Sequence, residues 1–323
     1  MTQSVVLKTL LGCTGCMATI ESLNKCSARS MDLMTLFQFG FVTLIGLIVD
    51  SKFFTVRNRI PIKAYVPIVV VFFAVSVANN KSLSYDVPVP LYIIFRSSSL
   101  VSNLIVGWLW CRHTYSRKKV LSVVLVSIGI LLFTMETTMA QPAVPQDVKG
   151  GSMWIGLLLM AGALVLSSFL GIYQEGLHKT YGKHPEEAMF YVHFLSLPAF
   201  LLLWNSIKTG LDDCLISPPV DLLGLQLPIP QDILKLILIS VLQWICVRNV
   251  YRLTSVTSAL NVTMVLTLRK FLSFFLSVCV FKSAFTAVHG VAVALVTLGT
   301  LSFYDITASQ ILASFKAQKR KEA

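Results

Sequence analysis

Three basic side chains interrupt long apolar runs of this sequence, and they are the residues best suited to bind a ligand. Arg96 stands in one run, and Arg269 and Lys270 stand together in another. A charge at the centre of a bilayer costs about 2.5–3.5 kcal/mol, so such residues face a protein interior or a wet cavity. The acidic residues lie near the ends of the runs and cannot pair with all three. The excess positive charge therefore predicts a bound anion, and a diphosphate fits it.

Each of these residues has an alternative role. Arg96 lies near the start of its run, where its side chain can instead extend to the membrane surface. Arg269 and Lys270 are about 100° apart on a helix, so they need not both face one cavity. Asn261 precedes them and is predicted to line the same wet face. Tyr191 and His193 supply rings that either stack on a base or sugar, or serve as internal hydrogen-bond partners.

No catalytic motif accompanies these residues. The sequence lacks a nucleophile elbow, a zinc-protease motif and a Walker loop, so we predict that the protein is not an enzyme and has no catalytic residue, metal or cofactor. Cys13 and Cys16 form a C-x-x-C pair, but no second pair or histidine is near them. We interpret both cysteines as small residues in helix packing.

The composition identifies the environment in which these residues work. Of the 323 residues, 55% are hydrophobic and 13% are charged, whereas a soluble domain carries about 25% charged residues. The chain is therefore an integral membrane protein. Its net charge of +12 is explained by basic loops that hold orientation, and no nucleic-acid partner is predicted.

Ten apolar runs are long enough to cross about 30 Å of hydrocarbon, and lipid requires them to be helices. With both termini in the cytoplasm, the cytoplasmic segments hold 16 Lys and Arg against 6 on the other side. This bias supports ten spans and that orientation. The long segments 136–152 and 205–231 are predicted to be linkers. The spans lie near 4–23, 33–50, 64–80, 91–110, 120–135, 153–173, 188–204, 232–247, 255–279 and 287–306.

The two halves of the chain resemble each other. Arg96 and Gly129 in the first half match Arg269 and Gly299 in the second, at offsets of 173 and 170 residues. Five spans in each half would invert the second repeat, an arrangement typical of transporters with a substrate site between the halves. We predict an all-α transporter domain with repeat one at about 4–135, repeat two at about 153–306 and a basic cytoplasmic tail at 307–323.

Several segments resemble the nucleotide-sugar transporters of the drug/metabolite transporter superfamily. The resemblance runs over nearly the whole chain and is closest to the UDP-N-acetylglucosamine/UDP-xylose transporter group (solute carrier family 35, subfamily B). The segments that carry it are Val75–Asn80, Ile94–Ser97, Phe169–Glu175, Gly182–Ala188 and Leu266–Phe271.

The resemblance implies an antiporter that imports a UDP-sugar into the endoplasmic reticulum or Golgi lumen in exchange for UMP. UDP-N-acetylglucosamine is the preferred substrate, with UDP-xylose or UDP-N-acetylgalactosamine open. By resemblance, Lys270 contacts the phosphates. Related GDP-mannose transporters carry Phe-Tyr-Asn-Asn where this chain has Phe190-Tyr191-Val192-His193. The loss of both asparagines argues against GDP-sugars and leaves Tyr191 as the expected stacking residue.

Other functions and partners stay open. The dibasic pair also fits another nucleotide-derived anion, such as 3′-phosphoadenylyl sulfate, and a receptor or scaffold could keep the fold without transport. Lys319 and Lys321 resemble a retrieval signal read by coat proteins, although an ordinary basic tail would look the same. Membrane lipid is an expected partner, and whether the protein forms a homodimer is open.

Overall fold

The structure is a computed structural model that describes residues 31–82, 85, 95, 97–139, 153–222, 225–280 and 286–305. The first predicted span, Arg96 and the basic tail with Lys319 and Lys321 lie outside the described residues. Predictions about them therefore stay predictions.

Helices make up most of the described chain, as the need to satisfy backbone groups inside lipid requires. A short 3₁₀ turn at Ile62–Ala64 precedes α2. The α-helices are α1 Met31–Ile45, α2 Val66–Ser82, α3 Ser99–Leu109, α4 Arg117–Met139, α5 Met153–Tyr181, α6 Pro185–Ser196, α7 Trp204–Leu215, α8 Gln231–Val256, α9 Ala259–Val280 and α10 Ala287–Phe303.

The predicted spans from the second to the tenth each coincide with a described helix. Six helical segments are long and apolar enough to cross a membrane, and α3 and α10 are shorter apolar helices. The integral membrane class is thereby supported. The count of ten spans and their arrangement as two inverted repeats stay predictions. The six segments are Asp32–Asp50, Ile62–Asn79, Arg117–Thr137, Met153–Tyr181, Pro185–Leu215 and Gln231–Val256.

The segment 205–231 was predicted to be a linker, and that prediction is wrong. A 3₁₀ stretch at Leu197–Leu203 joins α6 to α7, and an antiparallel hairpin of β1 Pro219–Leu222 and β2 Leu225–Pro230 follows. Helix α7 forms because Ile207, Gly210 and Cys214 share one buried face, spaced three and four residues apart. The segment contains many polar residues and prolines, so its composition alone indicated a linker and not an amphipathic helix.

The described residues divide into two compact units, and each draws on both halves of the sequence. Unit 1 takes residues from Met1–Val77 and Leu170–Ser273, and unit 2 takes them from Ala78–Phe169 and Phe274–Ala323. In unit 1, α1, α6 and α8 pack against one another. Phe39, Phe200 and Leu236 belong to the buried cluster between them. These contacts fix the ends of the three helices near one another.

In unit 2, α4 and α10 form a close helix pair through two glycines. A methyl group on Gly129 would lie 2.9 Å from the carbonyl oxygen of Ala292, and one on Gly299 would lie 3.0 Å from that of Ser122. Small residues allow membrane helices to approach in this way. These are the two glycines that the predicted repeat matches, and each packs against the other's helix.

Replacing Gly299 by alanine should destabilise this helix pair. The added methyl group would overlap backbone atoms that cannot move aside, so we expect the free energy of unfolding to fall by about 1–3 kcal/mol. Thermal unfolding in detergent measures the effect. Gly290→Ala on the same helix is the matched control, because nothing lies within 4 Å of its added methyl group. Equal melting temperatures for the two variants would contradict the close packing.

Candidate functional site

The α1–α2 loop has an unusual backbone. Helix α1 ends in a π-helical turn at Gly46–Asp50, and π-turns are frequent at functional sites. Gly46 is required there, because a Cβ would lie 2.7 Å from the ring of Phe190 on α6. Lys52, Phe53 and Phe54 then follow with φ of 46°, 56° and 61°. Three consecutive left-handed residues are strained, so neighbouring contacts must hold this loop in place.

Glu187, in the first turn of α6, holds the far end of this loop. Its carboxylate accepts hydrogen bonds from the backbone N–H groups of Arg59 at 3.2 Å and Ile60 at 2.9 Å, and from the hydroxyl of Tyr65 at 3.3 Å. The neighbouring Glu186 accepts from Arg252 of α8 at 2.7 Å. These two carboxylates fasten α6 to the loop and to α8.

A cavity of about 320 Å³ lies between this loop and the start of α6. We call it the loop cavity. Asn58 and Tyr191 contribute polar groups to its wall, and Phe190 contributes an aromatic ring. All of its lining residues belong to unit 1. The acidic and basic residues that line it are Asp50, Arg57, Arg59, Lys183, His184, Glu186 and Glu187.

Tyr191 has the internal hydrogen bond that was one of the two roles left open by the sequence, and its role as a stacking residue for a base or sugar stays a prediction. Its hydroxyl donates a hydrogen bond to the side-chain oxygen of Asn58 at 2.5 Å, so it is an internal hydrogen-bond partner. Its ring stacks on Tyr65 with centroids 5.5 Å apart and planes at 16°. Only 5% of the residue is exposed, and it borders the loop cavity. One face of the ring is therefore already occupied.

His193 is buried and does not line the loop cavity. Its Nδ1 lies 2.7 Å from the carbonyl oxygen of Met189, one turn earlier on α6. Its ring packs against Phe39 with centroids 4.5 Å apart and against Tyr251 at 6.1 Å. In this arrangement His193 is a packing residue between α1, α6 and α8.

Arg269 and Lys270 lie on α9, which packs antiparallel to α8. Leu253 of α8 packs with Val262 of α9, and the guanidinium of Arg269 lies 3.5 Å from the sulfur of Cys246. Arg269 therefore points toward α8, and Lys270, about 100° further around the helix, projects in another direction. Both are partly buried.

Asn261 is also partly buried and precedes Arg269 by eight residues, about 12 Å along the axis of α9. The structure thus places Arg269, Lys270 and Asn261 on one helix. Tyr191 and His193 lie on α6. The two groups of predicted site residues share unit 1.

The sequence did not identify several basic residues of this region as candidate site residues. Arg57, Arg59 and Lys183 were counted only as loop charges that set orientation, but they line the loop cavity. Arg248 was assigned to a loop, but it lies on α8 with its guanidinium 5.2 Å from the centre of the Trp244 ring. The Trp-x-x-x-Arg spacing, one helical turn, was the available signal for Arg248.

The chain also matches known proteins over nearly its whole length. The model of the UAA transporter family matches residues 2–307. A "UDP-xylose and UDP-N-acetylglucosamine transporter" of Danio rerio is 38% identical over 96% of this chain and 95% of its own length. An "Endoplasmic reticulum GDP-fucose transporter" of Drosophila melanogaster is 34% identical over 98% of this chain and 94% of its own length.

Two further known proteins also match nearly the whole chain. A "Nucleotide sugar transporter" of Homo sapiens is 33% identical over 97% of this chain and 96% of its own length. A solved crystal structure superposes with a TM-score of 0.63, covering 93% of this chain and 95% of that one. At 14% sequence identity, that likeness concerns the fold alone.

Proposed function

The chain belongs to the UAA transporter family and is a nucleotide-sugar transporter rather than an enzyme; on this premise we propose that it imports a UDP-sugar in exchange for UMP. The preferred substrate is UDP-N-acetylglucosamine, with UDP-xylose next. The name of the Danio rerio relative supports both sugars. The proposed location is the endoplasmic reticulum or Golgi membrane, with both termini in the cytoplasm.

The observation that carries this proposal is the dibasic pair on α9. Two adjacent cations on α9, a predicted membrane span, would supply charge-assisted hydrogen bonds to a diphosphate, which nucleotide sugars share. We assign the phosphate contact to Lys270, because Arg269 points toward Cys246 on α8. Arg269 then supports the positive potential, and Arg96 would add charge from the other repeat. Tyr191 is the proposed contact for the base or sugar, and Asn261, on the same helix as Lys270, is a further proposed contact. His193 was a candidate from the sequence, but its ring packs between α1, α6 and α8.

A GDP-sugar is the second candidate, because the Drosophila melanogaster relative is named for GDP-fucose. The base is therefore the property that most needs a test. The segment Phe190–His193 favours uracil over guanine by resemblance alone, since it lacks the asparagines of the GDP-mannose transporters.

Counterflow into liposomes tests both candidates. Purified protein is reconstituted, the liposomes are loaded with UMP, GMP or AMP, and uptake of labelled nucleotide sugars is measured. We expect internal UMP alone to stimulate uptake, and UDP-N-acetylglucosamine to enter fastest. Stimulation by GMP would overturn the base assignment. Thermal stabilisation by nucleotide sugars without any counterflow would indicate a receptor.

A further inference from the structure

We propose that the loop cavity is a second anion site, which captures the diphosphate of the cytosolic nucleotide before it reaches Lys270. This proposal rests on the proposed function and on its orientation, which places the α1–α2 loop in the cytoplasm. The site is separate from the dibasic pair, and it is built by the loop and the start of α6. It would take a phosphate-bearing anion.

The cations of the loop cavity are available for a ligand. The side chains of Arg57, Arg59 and Lys183 are exposed, and none of them forms an ion pair within the part of the chain that the structure describes. Arginine is suited to bidentate contacts with phosphate, and lysine adds a point charge. Two exposed arginines on one short loop and a lysine before α6 line the same cavity, and together they have the chemistry of an anion site.

The carboxylates of the same cavity each lie close to hydrogen-bond donors or cations. Glu187 is engaged by the amides of Arg59 and Ile60, and Glu186 is paired with Arg252 at 2.7 Å. Asp50 lies in the electrostatic field of Arg248 and Arg252 on α8. Those two arginines, which do not line the cavity, offset negative charge there. Asp50, Glu186 and Glu187 balance the three lining cations, so Arg248 and Arg252 make the charge around the cavity positive.

The cavity wall is preorganised. The left-handed turn at Lys52, Phe53 and Phe54 sets the path of the loop after α1. Glu187 fixes the far end of the loop through two backbone amides. Asn58, between the two arginines, is held by the hydroxyl of Tyr191. A loop fixed in this way loses little conformational entropy when an anion binds, which favours affinity.

The volume indicates a docking site rather than the transport site. Ligand pockets span about 300–1,000 Å³, and the loop cavity, at about 320 Å³, lies at the lower limit. A volume at this lower limit suits the phosphates better than a complete nucleotide sugar. A positive site at an entrance raises the local concentration of an anionic substrate and its association rate, and salt weakens this effect.

The first test measures the salt dependence of uptake into UMP-loaded liposomes. The double variant Arg57→Gln/Arg59→Gln is compared with wild type at about 50 mM and about 500 mM KCl, around the range where screening sets in. We expect KM at low salt to rise about tenfold, with a much smaller change in kcat, and the salt dependence to fall. Lys63→Gln is the matched control, since Lys63 is exposed beside the same loop but does not line the cavity. A KM and salt dependence equal to wild type would overturn the proposal.

The second test is independent of transport. Calorimetry measures binding of inorganic pyrophosphate to detergent-purified Lys270→Ala protein, with and without Arg57→Gln/Arg59→Gln. We expect binding to persist in Lys270→Ala and to be lost when both arginines are also replaced. Absence of binding to Lys270→Ala would overturn the site even if transport proceeds as proposed. Lys183→Gln replaces the lining cation that precedes α6, and it should also weaken pyrophosphate binding.

A phosphorylated lipid headgroup presents the same chemistry, and a third arm separates the two sources. Vesicles with and without phosphatidylinositol phosphate are mixed with wild-type protein and with the double variant. Arginine-dependent binding to the phosphorylated vesicles without pyrophosphate binding would assign the cavity to lipid and overturn the nucleotide assignment. Pyrophosphate binding that these vesicles do not displace supports the nucleotide.

Discussion

Replacing Lys270 by alanine should lower the rate of nucleotide-sugar exchange by about 100-fold or more while the protein still folds. Removing one partner of a desolvated charge pair costs about 2–5 kcal/mol, and every 1.4 kcal/mol is about tenfold. Folding should survive, because a neutral side chain enters a membrane helix more readily than a lysine. Counterflow into UMP-loaded liposomes measures the loss, and the melting temperature in detergent confirms the fold.

Two further variants make the Lys270 result specific. Lys208→Ala removes an exposed lysine on α7 and should leave exchange near wild type. Lys270→Arg keeps the charge but changes the shape of the donor, so partial exchange is expected. Normal exchange by well-folded Lys270→Ala protein would exclude Lys270 from the phosphate site.

Replacing Glu187 by alanine should release the α1–α2 loop. The carboxylate accepts hydrogen bonds from the amides of Arg59 and Ile60, and hydrogen bonds to a charged group contribute about 1.5–3 kcal/mol each. The strained turn at Lys52–Phe54 keeps its local hydrogen bond from the Phe54 N–H to the Ser51 hydroxyl, so the effect is expected at the far end of the loop. We expect a lower melting temperature and faster trypsin cleavage after Arg57 or Arg59. Glu187→Gln keeps one acceptor oxygen and should give an intermediate result.

A matched control separates this local effect from a general loss of acidic charge. Asp212 is an exposed carboxylate on α7 that forms no ion pair among the described residues. Asp212→Asn should therefore leave both the melting temperature and the cleavage rate near wild type. Equal trypsin cleavage of the loop in Glu187→Ala and wild type would show that the carboxylate does not hold it.

The sequence predicted the family and the helices better than it predicted the loops and their charges. The family resemblance and the transporter class are confirmed by the comparisons, and the helices match the apolar runs. The segment 205–231 was predicted incorrectly because α7 shows its helical pattern only on one face. Lys270 was singled out by sequence, whereas Arg57 and Arg59 were passed over. A basic residue stands out in an apolar run of sequence, whereas one more basic residue in a charged loop does not.

The sequence by itself predicted which segments are apolar enough to enter the membrane, that they are helical, and that basic side chains interrupt them. These properties are local, because each apolar run must satisfy its own backbone hydrogen bonds in lipid. Only the tertiary structure decided what the loop charges do. Glu187 meets the amide of Ile60 across 127 positions of sequence, and Glu186 meets Arg252 across 66. Such pairings depend on how α6 packs between α1 and α8, and no local pattern encodes them.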